Sequence, residues 1–147
     1  LAFGRNSDIY KKLVVQEQKV EFIAADIPLN RDLPLFQIVA MVKKAGDLDS
    51  VRDEVYRTLE EFKAKPVAAE RLKQVKQRNK YAFLMELDSA GGVAAALARL
   101  VAITGGIEAV DELYAAFDRL TPSDVQEATK KYFDARRRTV MVLRGSE

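Results

Sequence analysis

Two pairs of adjacent carboxylates are the residues of this chain whose type and spacing could do chemistry. Glu60 with Glu61, and Asp111 with Glu112, carry the groups that general acid and base catalysis or metal binding would need. Each pair falls in a stretch with helical periodicity, where charged side chains usually face water. We therefore interpret both pairs as parts of solvated helix surfaces, and we predict no catalytic residue in this chain.

The chain contains no histidine and no cysteine. Histidine is the commonest general base, and both residue types are the usual ligands of zinc. The sequence also lacks the glycine-rich phosphate-binding patterns and the nucleophile elbow of many hydrolases. A catalytic triad or a zinc site built from this chain alone is therefore excluded in its usual forms, and we predict no metal and no cofactor in it.

Two groups of basic residues raise an alternative from a different functional class, a helical nucleic-acid-binding module. The groups are Arg71, Lys73, Lys76, Arg78 and Lys80 in a long predicted helix, and Arg136, Arg137 and Arg138 after the last helix. The first group spreads around its helix, no aromatic residues alternate with either group, and 22 acidic residues almost cancel 24 basic ones. We favour structural roles and no nucleic-acid partner, with the arginine triplet stabilising the C-terminal end of the preceding helix.

Length and composition predict one globular domain. The 147 residues are 48% hydrophobic and 31% charged, which is typical of a folded chain with a real core. No apolar run is long enough to cross a bilayer, so we predict no membrane span. The first residues, LAFGRNSDIY, lack the pattern of a secretion signal and look like the end of a buried segment. A processed or excised piece is therefore expected.

Hydrophobic periodicity predicts the elements that would position any site. Ser7 caps a short helix that ends near Glu17, and KVEFIAADI and FQIVAMVK predict two antiparallel strands. Helices are then predicted from Ser50, which forms a capping-box-like pair with Asp53, and from about 67 to 87. The remaining predictions are a buried helix in GGVAAALARLVAITGG, an amphipathic helix from Ile107, a helix capped by Thr121, and a third strand in TVMVLR. Strands and helices are segregated along the chain, which predicts an α+β fold with a mostly antiparallel sheet and helices packed on one face.

Three stretches together resemble the second half of the pitrilysin or insulinase family of zinc peptidases, in particular its bacterial members similar to mitochondrial processing peptidase. GRNSDIYKKLVVQEQKV is similar to the family pattern G-x-S-R-L-Y-x-x-L-V-x-E-Q and the strand that follows it. AAERLKQVKQRNKYAFLMELDSAGG is similar to the family's long helix, and TPSDVQEATKKYFDARRRTVMVLRG to its closing T-P-E-D-V pattern. The resemblance covers nearly the whole chain.

The resemblance implies half of a metallopeptidase clamshell. Family members pair two homologous α+β halves, of which the first binds zinc through an HxxEH motif and the second carries no metal. A chain without histidine resembles the second half, so residues 1–147 are expected to be a single domain, a truncated C-terminal half of a larger peptidase subunit. The match begins just before the first helix of the pattern. We therefore expect that half's first strand to be missing, which would leave an unpaired sheet edge able to self-associate.

The resemblance also identifies two positions at which some members hold the substrate backbone with an arginine and a tyrosine. The matching residues here are Val14 and Glu21, which lack the guanidinium and the phenol. The substrate-binding residues therefore stay unknown. In two-subunit members the zinc-bearing subunit typically lacks this pair, so the chain resembles the second half of a catalytic-type subunit. The other interpretation is a degenerate copy of the half that carries the pair.

The leading hypothesis is a non-catalytic C-terminal domain of a zinc metalloendopeptidase, which forms the wall of the peptide-binding chamber and the partner interface. The implied partners are the N-terminal catalytic half of the same protein, which would hold the zinc, a homologous subunit, and a peptide substrate. A catalytically dead scaffold subunit of the same fold is the alternative. The resemblance favours the periplasm, and the cytoplasm stays open.

Overall fold

A short helix and a β-hairpin open the fold. The computed structural model describes residues 1–28, 30–32 and 34–145. Helix α1, Asp8–Tyr10, continues into a π-helical turn, Lys11–Gln16. Strands β1, Val20–Asp26, and β2, Gln37–Val42, follow and pair antiparallel. The two predicted strands and their antiparallel pairing are confirmed.

Helices form the rest of the described chain. They are α2, Leu48–Ala64; α3, Ala69–Glu86; α4, Ala90–Thr104; α5, Glu108–Arg119; and α6, Pro122–Tyr132. Strands and helices are segregated, so the predicted α+β class is confirmed. No single helix in these ranges is long and apolar enough to span a membrane; α3 and α4 reach that length and composition only together, with a bend of 118° between them.

Local hydrogen bonds explain where three of these helices begin or end. The Ser7 hydroxyl accepts from the backbone N–H of Tyr10 at 3.3 Å. At the start of α6, the Thr121 hydroxyl accepts from Asp124 N at 3.2 Å, and the Asp124 carboxylate accepts from Thr121 N at 2.7 Å. Gly105 ends α4 with φ of +86°, a left-handed conformation that favours glycine. These caps agree with the predictions from sequence.

The core lies between one face of the hairpin and the helices α1 and α2. Its buried members are Phe3, Ile9, Leu13, Val20, Ile23 and Val51. The opposite face of the hairpin is uncovered: Phe22 lies across from Met41, and these side chains are 42% and 51% exposed. Helices therefore pack on one face of the sheet, as predicted.

The predicted third strand in TVMVLR is wrong. After α6 the chain forms a 3-10 turn, Ala135–Arg137, and residues 139–144 then pair with neither β1 nor β2. Met141 is 79% exposed and Leu143 is 89% exposed. A β-rich segment becomes a strand only where a neighbouring strand takes its backbone hydrogen bonds and a surface covers its side chains. Among the described residues, no strand pairs with this segment, and its apolar side chains stay exposed.

Two predictions about helices also need correction. The capping pair at the start of α2 is wrong, because this helix begins at Leu48 and the Ser50 hydroxyl donates to the carbonyl of Asp47 at 2.9 Å. The prediction that α4 is a buried helix is wrong as well. Leu100 is 8% exposed, but Val101 next to it is 38% exposed, because the main packing partners of α4 in the described chain are its sequence neighbours α3 and α5.

Candidate functional site

A cleft of about 660 Å³ opens beside the hairpin. Its walls come from the N-terminal segment, β1, α2 and α6, and most of the side chains that face it are apolar. Leu59 and Phe62 contribute from α2, while Val125 and Phe133 contribute from α6 and the residue after it. Its size falls in the range of ligand-binding sites in proteins.

The wall formed by α6 follows from its helical spacing. Val125, Thr129 and Phe133 are four residues apart and therefore lie on one face of the helix. The Thr129 hydroxyl donates to the carbonyl of Val125 at 2.7 Å, so this buried polar group is satisfied. The side-chain amide of Gln126 donates to the carbonyl of Lys63 at 2.8 Å, which ties α6 to the C-terminal end of α2.

An ion-pair network fixes the π-helical turn against α2 behind this cleft. The Nζ of Lys12 lies 2.8 Å from Oε2 of Glu54, and Arg57 also donates to this carboxylate. The Glu54 side chain is only 13% exposed. Burial tends to raise the pKa of Glu54, but the hydrogen bonds from Arg57 and Lys12 outweigh it and hold the pKa below its ordinary value. At neutral pH the ionised carboxylate of Glu54 therefore links the π-helical turn to α2.

Strand β1 presents its edge to the cleft. Four consecutive residues, 22–25, line it, although side chains alternate between the two faces of a strand. The β2 residues that pair with them do not line the cleft. The cleft therefore runs along the side of β1 that faces away from β2. In the described residues no strand other than β2 pairs with β1.

Two arginines give the cleft a positive charge. Arg5 belongs to the N-terminal segment and Arg78 to α3, and both guanidinium groups are on exposed residues. The Nη2 atom of Arg78 lies close to the backbone of Gly4, 3.9 Å from the position that a Cβ atom would occupy there. Within the described ranges neither arginine has a carboxylate within 4.0 Å, and no acidic residue lines the cleft. In the sequence, Arg78 belongs to the basic group of the long helix, and nothing in its spacing predicts that it lies near Gly4.

The residues that the family resemblance singled out lie outside this cleft. Val14 is in the π-helical turn, half-buried against the core. Glu21 is exposed in β1, at a bulge, because Val20 pairs with Val42 while Phe22 pairs with Met41. Neither residue lines the cleft.

The carboxylate pairs are exposed on helices, as predicted. Glu60 and Glu61 lie on α2, and Asp111 and Glu112 lie on α5. Glu60 accepts from Lys63 at 2.6 Å. Among residues 1–28, 30–32 and 34–145, no group of three acidic side chains converges in a way that could hold a metal ion.

Basic residues of α3 make specific contacts within the molecule. Arg71 pairs with Asp8 at 3.0 Å. Lys76 donates to the carbonyls of Asp118 and Leu120 at 2.7 and 2.6 Å, where it caps the C-terminal end of α5. This cap could not be predicted from local sequence, because the end of α5 lies 42 residues after Lys76 in the chain.

Two members of the arginine triplet make contacts outside α6, and the predicted stabilisation of the end of that helix stays a prediction. Arg136 pairs with Asp134 at 2.7 Å, and hydrogen bonds from Arg136 hold the pKa of Asp134 below its ordinary value. The guanidinium of Arg138 lies 3.6 Å from the ring centroid of Tyr56 on α2. Arg136 and Arg138 therefore contact the chain just after α6 and the helix α2, respectively.

A solved protease shares this fold. The crystal structure of a protease from Helicobacter pylori superposes with a TM-score of 0.79 at 20% sequence identity. The match covers 89% of this chain and 32% of that protein, so the chain spans about a third of its length. Comparison with protein-family models and with curated proteins gives no match. At this identity, the likeness shows a common fold.

Proposed function

We propose that this chain is a non-catalytic C-terminal domain of a zinc metalloendopeptidase and that it forms part of the wall of a peptide-binding chamber. The likeness of fold to part of a protease carries the proposal. The chain has no histidine, so the zinc and its HxxEH motif would belong to the other half of the peptidase. The contribution of this domain would then be binding surface and shape.

The cleft beside β1 supports the role of a chamber wall. An extended peptide needs apolar pockets for its side chains and hydrogen-bonding partners for its backbone. The cleft combines apolar side chains such as Phe22, Leu59 and Phe133 with the unpaired side of a strand. Both requirements are met by one surface.

Exposed apolar residues outside the cleft support a partner interface. Val39 and Met41 on the uncovered face of the hairpin are 52% and 51% exposed. Residues 140–143, a continuous apolar segment, are also exposed. Apolar surface of this kind is typical of interaction sites, and the occupant that we propose is the metal-bearing half of the same peptidase.

Reconstitution would test the proposal. The chain alone should not cleave an unstructured fluorogenic peptide. Mixed with the half that carries HxxEH, it should restore a peptidase activity that a zinc chelator abolishes. Full activity of the metal-bearing half without this chain would refute the wall role.

Two further outcomes separate the alternatives. If the gene that encodes this domain contains no HxxEH motif and its purified product is inactive, the scaffold subunit is the correct interpretation. If the purified chain alone cleaves the peptide in a metal-dependent manner, the non-catalytic assignment is wrong. An active-site variant of the metal-bearing half, with the glutamate of HxxEH replaced by glutamine, controls for contaminating peptidases.

A further inference from the structure

We infer that the outward side of helix α3 binds the same side of a second copy of this chain, with the two helices antiparallel. The contact surface consists of the exposed side chains between Arg78 and Asp88, and we call it the α3 surface. It lies apart from the cleft and from the hairpin. The inference is therefore independent of the proposed chamber role.

Helical spacing places an apolar cluster on the side of α3 that faces away from α5. Phe83 faces α5, where its ring packs on Tyr114 with centroids 5.0 Å apart. Tyr81 and Met85 each lie two positions from Phe83, which is about 200° around the helix, so they point away from this contact. Together with Leu84 they form one patch, because residues three and four apart are neighbours on a helix. The exposed fractions of Tyr81, Leu84 and Met85 are 67%, 52% and 76%.

The charge of the α3 surface changes sign along the helix. Arg78 and Lys80 precede the apolar cluster, and Glu86 and Asp88 follow it. All four side chains belong to exposed residues. Within the described ranges none of them forms an ion pair within 4.0 Å. The surface therefore has an apolar centre, a positive end and a negative end.

A surface with this order of charges is complementary to itself when two copies meet antiparallel about a two-fold axis. With the axis at the level of residue 83, Tyr81 lies opposite Met85 of the second copy, and contact between a thioether and an aromatic ring is favourable. At the same register Lys80 lies opposite Glu86, and the outer base meets the outer acid in the same way. A parallel pair would instead bring like charges together. Charge complementarity therefore favours a second copy in the antiparallel orientation.

Sedimentation velocity of the full 147-residue chain tests the inference. The contact spans residues 78–88, which correspond to about 16 Å of helix. A contact of this length is smaller than a standard stable interface, so the dissociation constant should lie in the micromolar range. Between about 5 and about 200 µM protein at low salt, the mass should shift from monomer to dimer. Added salt should weaken the dimer, because it screens exposed charges.

Exchanging the charges tests the antiparallel register. Lys80→Glu and Glu86→Lys each place like charges opposite one another, so each variant should dimerise about tenfold more weakly than the wild-type chain. An equimolar mixture of the two variants restores opposite charges at both positions. The mixture should therefore form a heterodimer with nearly the wild-type affinity. A variant that had lost its fold would not recover on mixing.

Matched controls separate the α3 surface from general effects of charge and apolar exposure. Tyr81→Ala removes the aromatic ring at the centre of the contact and should weaken the dimer about tenfold. Tyr132→Ala should leave the dimer unchanged, because Tyr132 is 61% exposed but lies on α6. Lys44→Glu alters the net charge as Lys80→Glu does, but at an exposed residue before α2, and should also have no effect. Circular dichroism checks the fold of every variant.

Three results would overturn the inference. A monomeric mass over the whole concentration range would show that the α3 surface does not bind a second copy. A dimer that Tyr81→Ala and Lys80→Glu leave unchanged would place the contact elsewhere on the chain. A mixture of Lys80→Glu and Glu86→Lys that associates no more tightly than either variant alone would exclude the antiparallel register.

Discussion

Leu13→Ala should destabilise the protein strongly, because this side chain is 2% exposed in the core between the π-helical turn, β1 and α2. The substitution removes three carbon atoms, which correspond to about 2.4 kcal/mol of transfer free energy at about 0.8 kcal/mol each. The cavity that remains adds to this cost, so we expect a loss of about 3 to 4 kcal/mol in the free energy of unfolding. The melting temperature should fall by roughly 6 to 16 °C.

Urea denaturation followed by circular dichroism measures this loss, with the slope of the transition as a check on two-state behaviour. Val15→Ala is the matched control, because Val15 lies in the same turn and is 60% exposed. It should change the free energy of unfolding by about 0.5 kcal/mol or less. If Leu13→Ala costs no more than Val15→Ala, the π-helical turn does not pack on the hairpin as described, and the frame of the cleft is wrong.

Three other substitutions test an ion pair, a helix end and a helix cap elsewhere in the fold. Glu54→Gln should cost about 1.5 to 3 kcal/mol at neutral pH. Since the pKa of Glu54 is lowered in the fold, this difference should shrink as the pH falls through the folded-state pKa, measured by urea titration across acidic pH. Gly105→Ala should cost about 1 kcal/mol, because φ is +86°, whereas Gly46→Ala should not destabilise; thermal melts compare the two. Thr121→Ala should lose the cap of α6 and about 1 kcal/mol, and Ser123→Ala in the same turn should cost less, by urea denaturation. Equal losses within either pair would contradict the local geometry.

Sequence patterns predicted the elements whose cause is local. The helix caps at Ser7 and Thr121 were predicted because a hydroxyl and a backbone N–H three residues away are held together by the chain itself. The two strands of the hairpin are neighbours in sequence and alternate in polarity, so their pairing was also predicted. The exposed carboxylate pairs followed from the same helical spacing.

Predictions failed where a distant partner decides the outcome. The segment at 139–144 has the composition of a strand, but only a neighbouring strand could have made it one. The contact of Arg138 with Tyr56 could not be predicted, because nothing in the spacing of these residues brings α2 near the end of α6. The same holds for the apolar helix α4, whose burial depends on how many elements surround it.

The sequence by itself determined the absence of histidine and cysteine, the α+β class and the boundaries of most elements, because composition and short-range hydrogen bonding fix these properties. The tertiary structure alone decided that Arg5 and Arg78 line one cleft together with residues of β1. Such a site joins residues that are far apart in the chain, from the N-terminal segment, β1, α2, α3 and α6. Their proximity results from burial of the core formed around Leu13 and Val20, which is a property of the whole fold.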